Sequence, residues 1–268
     1  MVGSIVGFVL VLVEGFLFNA MLYRHKMINQ STLLPMLFYV IAMSLGSPNL
    51  TPIVLGNLML LFALDQLMLT GTLLSLPLDK VFGSATCIAL ATLFCPAMAV
   101  FFIGLVASMF NYSLYSWRDT TMLILGILAP YIIVETIFFL NDQMFYRNYL
   151  ILYSFTDIHL IARGGWIEWV GSGLFLLILI MGLGAVFVNS QNRNINFKKN
   201  ISTILLFLLG SVAYMLYTSV VPIPTQAFAL PFACCCTSLF IEPKRKELGS
   251  NIFFVVLIIL FVMWRILS

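Results

Sequence analysis

The sequence predicts an all-α fold, a polytopic transmembrane bundle of about nine or ten helices that forms a single domain over residues 1–268. The chain is 62% apolar and carries only 9% charged residues, whereas soluble domains average about 25%. Its mean hydropathy is +1.09. Apolar residues run along the whole chain and leave no stretch for a soluble domain. Basic residues occur in small clusters between apolar runs, which is typical of a membrane protein and not of a nucleic-acid-binding face.

Most of the predicted helices can be read directly as apolar runs. A bilayer core of about 30 Å requires about 20 apolar residues of helix. The first run lacks a Lys or Arg before it and is longer than the core of a signal peptide, so we interpret it as a retained transmembrane helix. The predicted spans are 3–22, 32–46, 52–70, 119–140, 166–188, 201–219, 226–241 and 251–267.

The apolar run 83–110 is too long for one ordinary span and has Pro96 near its middle. It is either one long kinked helix or a hairpin of two short helices that turns at Cys95 and Pro96. Basic residues concentrate in cytoplasmic loops, and this rule requires one extra crossing in the middle of the chain. The hairpin supplies that crossing and places ten basic residues inside and three outside. A crossing by residues 143–161 gives the same division.

We prefer the hairpin because residues 143–163 favour a segment that lies on the outer surface of the membrane. They include Arg147, Asp157 and His159, and polar residues of this kind suit an interfacial position. Trp166 follows, as expected for the aromatic belt of a bilayer. Both arrangements place the amino terminus outside.

The sequence contains no recognisable catalytic or metal-binding motif, and we predict neither a metal nor a cofactor. It has no phosphate-binding loop, no nucleophile elbow and no zinc-protease motif. His25 is interpreted as part of a basic loop, on the opposite side from His159. The five cysteines, Cys87, Cys95 and residues 234–236, lack the spacing of a zinc site and are interpreted as small packing residues. The spacing of Gly182 and Gly184 favours close helix packing.

Acidic residues within apolar runs are the strongest functional candidates, because an ionisable group in the bilayer costs at least about 2.5 kcal/mol. Glu14 lies near the middle of the first predicted helix, Asp65 lies late in the third, and Glu135 lies in the outer part of the span that contains Pro130. Each is either protonated or hydrogen-bonded to Ser, Thr, Asn or Tyr on a neighbouring helix, or it serves as a proton relay, substrate contact or general base.

Two arginines complete the set of candidate residues. Arg118 and Asp119 open a predicted helix at the inner face, where an acid stabilises the helix start. Arg118 is therefore a candidate contact for a phosphate. Arg163 ends the interfacial segment and is the second candidate, for a cavity that it would line together with Glu135 or Glu14.

Several segments together resemble an uncharacterised family of polytopic inner-membrane proteins of Bacteroidota. The resemblance covers most of the chain, and it implies a bacterial cytoplasmic (inner) membrane protein. Members usually carry one further amino-terminal helix, and they tend to have basic residues where this chain has Asp65 and Gln66, which implies that Asp65 lies at the inner interface. The resembling segments are LFNAMLYRHKMINQST (17–32), VLGNLMLLFALDQLM (54–68), KVFGSATCIALATLFCPAMAVFF (80–102), WRDTTMLILGILAP (117–130) and residues 224–242.

Two enzyme labels can be compared with these segments. Some family members are labelled beta-carotene monooxygenase, but carotenoid cleavage enzymes resemble soluble propellers with an iron held by four histidines. This chain has two histidines and no strand pattern. The run 83–110 is also similar to the third and fourth helices of membrane glycosyltransferases that use polyprenyl-phosphate sugars. Their essential acid lies in a first outer loop that is absent here with the missing helix, so this similarity concerns the fold alone.

Two functional classes follow from the sequence. The preferred one is a non-catalytic subunit or scaffold of cell-envelope machinery, whose partners are the lipid bilayer and other envelope proteins or polyprenyl-linked glycans, with no nucleic acid. The alternative is a glycosyltransferase-like or polymerase-like enzyme, which predicts that Glu135 or Glu14 lines a cavity together with Arg118 or Arg163. A transporter is third, because no inverted repeat or matched pair of broken helices is visible.

Overall fold

The computed structural model describes residues 2–28, 32–44, 51–71, 78–114, 116–140, 161–162, 166–190, 193–218, 220–221 and 226–241. Within these residues the fold is an all-α bundle, which confirms the predicted class. A short 3-10 helix, Pro96–Val100, precedes α5, and two short parallel strands, β1 (Ile161–Ala162) and β2 (Val220–Val221), pair with each other. The helices are α1 (Val2–Arg24), α2 (Leu34–Ser44), α3 (Pro52–Thr70), α4 (Leu78–Phe94), α5 (Phe101–Asn111), α6 (Trp117–Leu140), α7 (Trp166–Ser190), α8 (Ile195–Thr218) and α9 (Ala229–Ile241).

Hydrophobic length predicted these helices well. Seven of the eight predicted spans coincide with a helix, and the eighth, 251–267, lies outside the described residues. The largest difference is at α8, which begins six residues before the predicted start because the polar residues 195–200 are already helical. Among the described residues, four helices are long and apolar enough to cross a membrane, as expected for a membrane protein: Ile5–Arg24, Pro52–Thr70, Trp117–Leu140 and Ile195–Tyr217.

Local sequence signals set several helix ends. Thr51 is extended and precedes Pro52 at the first position of α3, where a missing backbone N–H costs nothing. Cys95 is extended because it precedes Pro96, and α4 ends there. At the start of α6, the backbone N–H and the hydroxyl of Ser116 both donate to the carboxylate of Asp119, at 3.1 and 2.7 Å. This reciprocal cap fixes the point where α6 begins.

The chain turns back on itself at Cys95 and Pro96, so residues 83–110 form the predicted hairpin. The decisive observation is that α4 and α6 run in the same direction. Gly126 of α6 lies against Phe82 of α4, and further towards the carboxyl ends of both helices, five residues along α6 and ten along α4, the hydroxyls of Tyr131 and Thr92 are hydrogen-bonded. Two parallel helices require a return segment between them, which is α5. The rival crossing, 143–161, lies almost wholly outside the described residues.

Further contacts show that helix direction alternates along the chain. Cys95 and Tyr214 meet at one end of α5 and α8, while Asn111 bonds the carbonyl of Lys199 at the other, so these helices are antiparallel. Odd-numbered helices therefore end on one side of the bundle. All the Lys and Arg residues that the structure describes lie on that side, which we call the basic end: Arg24, Lys26, Lys80, Arg118, Arg193, Lys198 and Lys199.

The innermost helix of the described bundle is α9. Every residue from Gln226 to Thr237 is buried, and α9 packs against α2 and α7. The three cysteines 234–236 are among these buried residues, in agreement with their interpretation as packing residues. Gly182 of α7 lies against Cys235, whereas Gly184 has open space around it. The predicted close helix contact therefore forms at Gly182 and not at Gly184.

Candidate functional site

Glu14 lies on the buried face of α1, in the middle of the helix, and is fully inaccessible to solvent. The hydroxyl of Tyr39 in α2 donates a hydrogen bond of 2.8 Å to Glu14 Oε2. Glu14 Oε1 has no partner among the described residues. The next residue is Gly15, whose Cβ position lies 3.1 Å from Met36, so α1 and α2 are in close contact here. Glu14 is therefore hydrogen-bonded to a tyrosine on the neighbouring helix, which is the structural alternative predicted for an acid within an apolar run.

We expect the Tyr39→Phe variant to be less stable by about 1–3 kcal/mol, because it leaves both carboxyl oxygens of Glu14 buried without a donor among the described residues. Tyr23→Phe is the matched control, since Tyr23 is exposed. The free energy of unfolding of the purified protein in detergent measures both effects. Equal stability of the two variants would contradict a structural role for the Tyr39–Glu14 bond.

Asp65 is the centre of a polar cluster that joins α3 to the end of α1. Its Oδ2 accepts a 2.9 Å hydrogen bond from Arg24 Nη1, and its Oδ1 lies 2.8 Å from His25 Nε2. The His25 side chain is only 1% exposed, whereas that of Arg24 is 61% exposed. Both partners are basic, so they differ from the Ser, Thr, Asn or Tyr considered for an acid within an apolar run. The sequence predicted that His25 is part of a basic loop, whereas the structure buries its side chain.

Arg118 and Glu135 occupy opposite ends of α6. Arg118 is exposed in the first turn, and the described residues give its side chain no ion-pair partner. Glu135 is also exposed, on the outer half of the helix. The 17 residues that separate them along α6 correspond to about 25 Å at 1.5 Å per residue. These two residues cannot bind the same small substrate.

The remaining candidates either lie outside the described residues or are not brought together with the other candidates. Arg163 and His159 lie outside the described part of the chain. Glu14 is enclosed between helices, and its described hydrogen bond is to Tyr39. Among the residues that the structure describes, no group of three or more His, Cys, Asp or Glu side chains could hold a metal ion.

Two polar contacts link helices that are far apart in the sequence. Asn57 of α3 donates a 2.9 Å hydrogen bond to the carbonyl of Gln226, which precedes α9, and Gln226 Nε2 lies 3.4 Å from the carbonyl of Met43. These bonds satisfy buried amides in the centre of the bundle. The sequence indicates this contact only by placing an Asn and a Gln within apolar runs.

A second contact lies at the basic end, where α5 meets α8. The Tyr112 hydroxyl donates to Asn200 Oδ1 at 2.9 Å and accepts from Thr203 at 3.1 Å. Burial raises the pKa of Tyr112 to about 12, and the hydrogen bond from Thr203 lowers it in part. Asn111 adds a 2.8 Å bond to the carbonyl of Lys199. Together these bonds anchor the returning arm of the hairpin.

Comparison with known proteins adds no further constraint to this geometry. No protein-family model, curated protein or solved structure matches the chain.

Proposed function

We propose that this chain is a non-catalytic membrane subunit or scaffold of cell-envelope machinery, and that the outer half of α6 binds a transmembrane helix of a partner protein. The observation that carries the proposal is the position of Glu135, a carboxylate on an exposed face of a long apolar helix. The partner helix presents a hydrogen-bond donor to Glu135, from a basic, amide or hydroxyl side chain. No described arrangement of residues favours the glycosyltransferase or transporter alternatives.

The attachment of α6 leaves its outer half available. The inner half packs on α4, where Asp119, Gly126 and Pro130 are its buried residues. Beyond Tyr131 the side chains are predominantly exposed and apolar, including Ile132, Ile133, Phe139 and Leu140. In a bilayer, apolar side chains face lipid without cost. Glu135 shares a helix face with Ile132 and Phe139, and its contact with lipid is costly, because a carboxylate within the apolar band is unfavourable unless it is paired.

The distribution of the other polar groups supports a structural role for the rest of the bundle. Glu14 and Asp65 are bonded to side chains of neighbouring helices, and Asn57 bonds a carbonyl outside its own helix. Buried polar groups of membrane helices that bond one another hold the bundle together and leave few donors or acceptors for a substrate. Glu135 is the exception among the candidate acids.

The location in the bacterial cytoplasmic membrane is part of the same proposal. It is supported by the basic end, which gathers the described Lys and Arg residues on one side as the positive-inside rule requires. On this orientation Glu135 lies towards the outer leaflet, so the partner helix and Glu135 meet on the envelope side of the membrane.

Site-specific photocrosslinking in the native host tests the proposal. A benzophenone amino acid at Ile132, which is 60% exposed and lies one turn before Glu135 on the same helix face, should crosslink to one membrane protein, and the crosslinked peptide should be a transmembrane helix with a donor side chain. The control position is Ile103 of α5, which is 72% exposed. Glu135→Leu should reduce the Ile132 crosslink at least fivefold, because the paired donor would lose its acceptor.

Three other outcomes would overturn the proposal. They are crosslinks to lipid alone, a crosslink between two copies of this chain, and a protein crosslink that Glu135→Leu leaves unchanged. Glu135→Gln serves as the conservative variant, since its amide oxygen can still accept a hydrogen bond. It should retain more of the crosslink than Glu135→Leu.

A further inference from the structure

A groove with a volume of about 270 Å³ lies beside the last two turns of α1. One wall is the outward face of α1, formed by Phe16, Asn19, Ala20 and Tyr23, and the other includes Thr32 and Leu33 before α2. Thr32 and Leu33 therefore lie alongside α1. Phe16, Tyr23 and Leu33 are at least 60% exposed, so the groove opens at the surface that faces the bilayer.

The groove is apolar except for a few polar groups near its end. The hydroxyl oxygen of Thr32 is buried and has no hydrogen-bond partner among the described residues. Asn19 lies on the facing wall and is half-buried. A hydroxyl left without a partner in an apolar setting costs free energy. Because that oxygen is enclosed, Asn19 is the polar side chain that a ligand in the groove can reach.

Positive charge adjoins the same end of the groove. Ala20 and Arg24 are four residues apart and so lie on adjoining parts of one helix face. Arg24 uses Nη1 to bind Asp65, but its side chain is largely exposed and the guanidinium has further donors. Lys26 is exposed in the left-handed turn that ends α1, with φ of 53°.

We propose that this groove binds an anionic phospholipid, with one acyl chain along Phe16 and Ala20 and the phosphate beside Arg24 and Lys26. The volume is below that of ordinary small-molecule pockets, about 300–1,000 Å³, so it suits part of one chain and not a lipid-linked sugar. Basic pockets at the cytoplasmic ends of transmembrane helices are suited to acidic headgroups. The Asn19 amide then faces the ester oxygens between chain and phosphate.

Native mass spectrometry of the delipidated full-length protein tests this assignment. The probes are phosphatidylglycerol and phosphatidylcholine with identical acyl chains, added separately. We expect phosphatidylglycerol to bind at least tenfold more tightly. Soluble glycerol 3-phosphate should not displace it, because the acyl chain supplies a large part of the binding.

Two variants with matched controls locate the site. Ala20→Trp fills the groove at an exposed position and should weaken phosphatidylglycerol binding at least fivefold, whereas Val13→Trp, on the same outward face of α1 but outside the groove, should not. Lys26→Asn tolerates the left-handed backbone and should reduce the headgroup preference at least threefold. Lys80→Asn removes the same charge at the basic end and should leave that preference intact.

Four outcomes would overturn the proposal: no difference between the two lipids, displacement by glycerol 3-phosphate, equal effects of Ala20→Trp and Val13→Trp, or equal effects of Lys26→Asn and Lys80→Asn. Thermal unfolding in detergent establishes that each variant is folded. All four replaced side chains are exposed or half-buried, so the variants should remain folded.

Discussion

Replacing Gly182 by Val should destabilise the bundle by about 3 kcal/mol, at the upper end of the range for overpacked cores. A Cβ at this position would lie 2.8 Å from Cys235 Cβ and 2.9 Å from its carbonyl carbon. The second contact is with backbone, so rotation of a side chain cannot relieve it. Separation of α7 from the buried helix α9 is the expected response. The midpoint of unfolding in SDS, measured by circular dichroism, reports the change.

Gly184→Val is the control, because Gly184 lies on the same helix and a Cβ there meets nothing within 4 Å. This variant should stay within about 0.5 kcal/mol of the parent protein, as is usual for substitutions that make no new contacts. If both variants lost the same amount of stability, the effect would come from the branched side chain itself and not from the contact with Cys235.

Asp65→Leu should have an effect of similar size, about 3 kcal/mol, because it leaves the buried His25 ring without its carboxylate partner. Arg24 is mostly exposed and can be solvated, so the loss comes chiefly from His25. The same unfolding measurement applies. Asp79→Leu is the control, since Asp79 is an exposed acid in the first turn of α4 at the same end of the bundle. It should cost less than about 1 kcal/mol.

A second substitution distinguishes the loss of the Asp65–His25 contact from the general effect on stability of removing an acid. Replacing both partners of a buried polar contact by apolar groups is often close to neutral. The double variant Asp65→Leu, His25→Leu should therefore be more stable than Asp65→Leu alone. A double variant that is less stable than the single one would show that the two residues do not depend on each other.

The helices and the hairpin could be predicted because each depends on local sequence. Apolar runs of sufficient length become helices wherever they lie, and Pro96 cannot continue α4 because it lacks a backbone N–H. The extended Cys95 before it is likewise a local consequence of the proline. The number of basic residues on each side of the membrane is the same for the hairpin and for the 143–161 crossing, so it does not distinguish them. The parallel course of α4 and α6 supports the hairpin, and it is visible only in tertiary contacts.

The partners of the candidate residues could not be predicted, because they come from distant parts of the chain. Asp65 meets His25 across 40 residues, and Asn57 meets Gln226 across 169. In a helix that is apolar on all sides, such as α6, the sequence has no polar face to show which way Glu135 points. The exposure of Glu135 depends on which face of α6 packs against α4. The sequence alone therefore could not show that Glu135 is exposed.

The central position of α9 has a consequence for biosynthesis. The ribosome makes α9 after α2, α7 and α8, yet these earlier helices surround it in the finished bundle. Its 13 residues span about 20 Å, less than the bilayer core. This segment is therefore poorly suited to remain alone in lipid during synthesis. The first eight helices must leave the space for α9 open until translation has passed residue 241, so a ribosome that stalls earlier releases a bundle with an exposed interior.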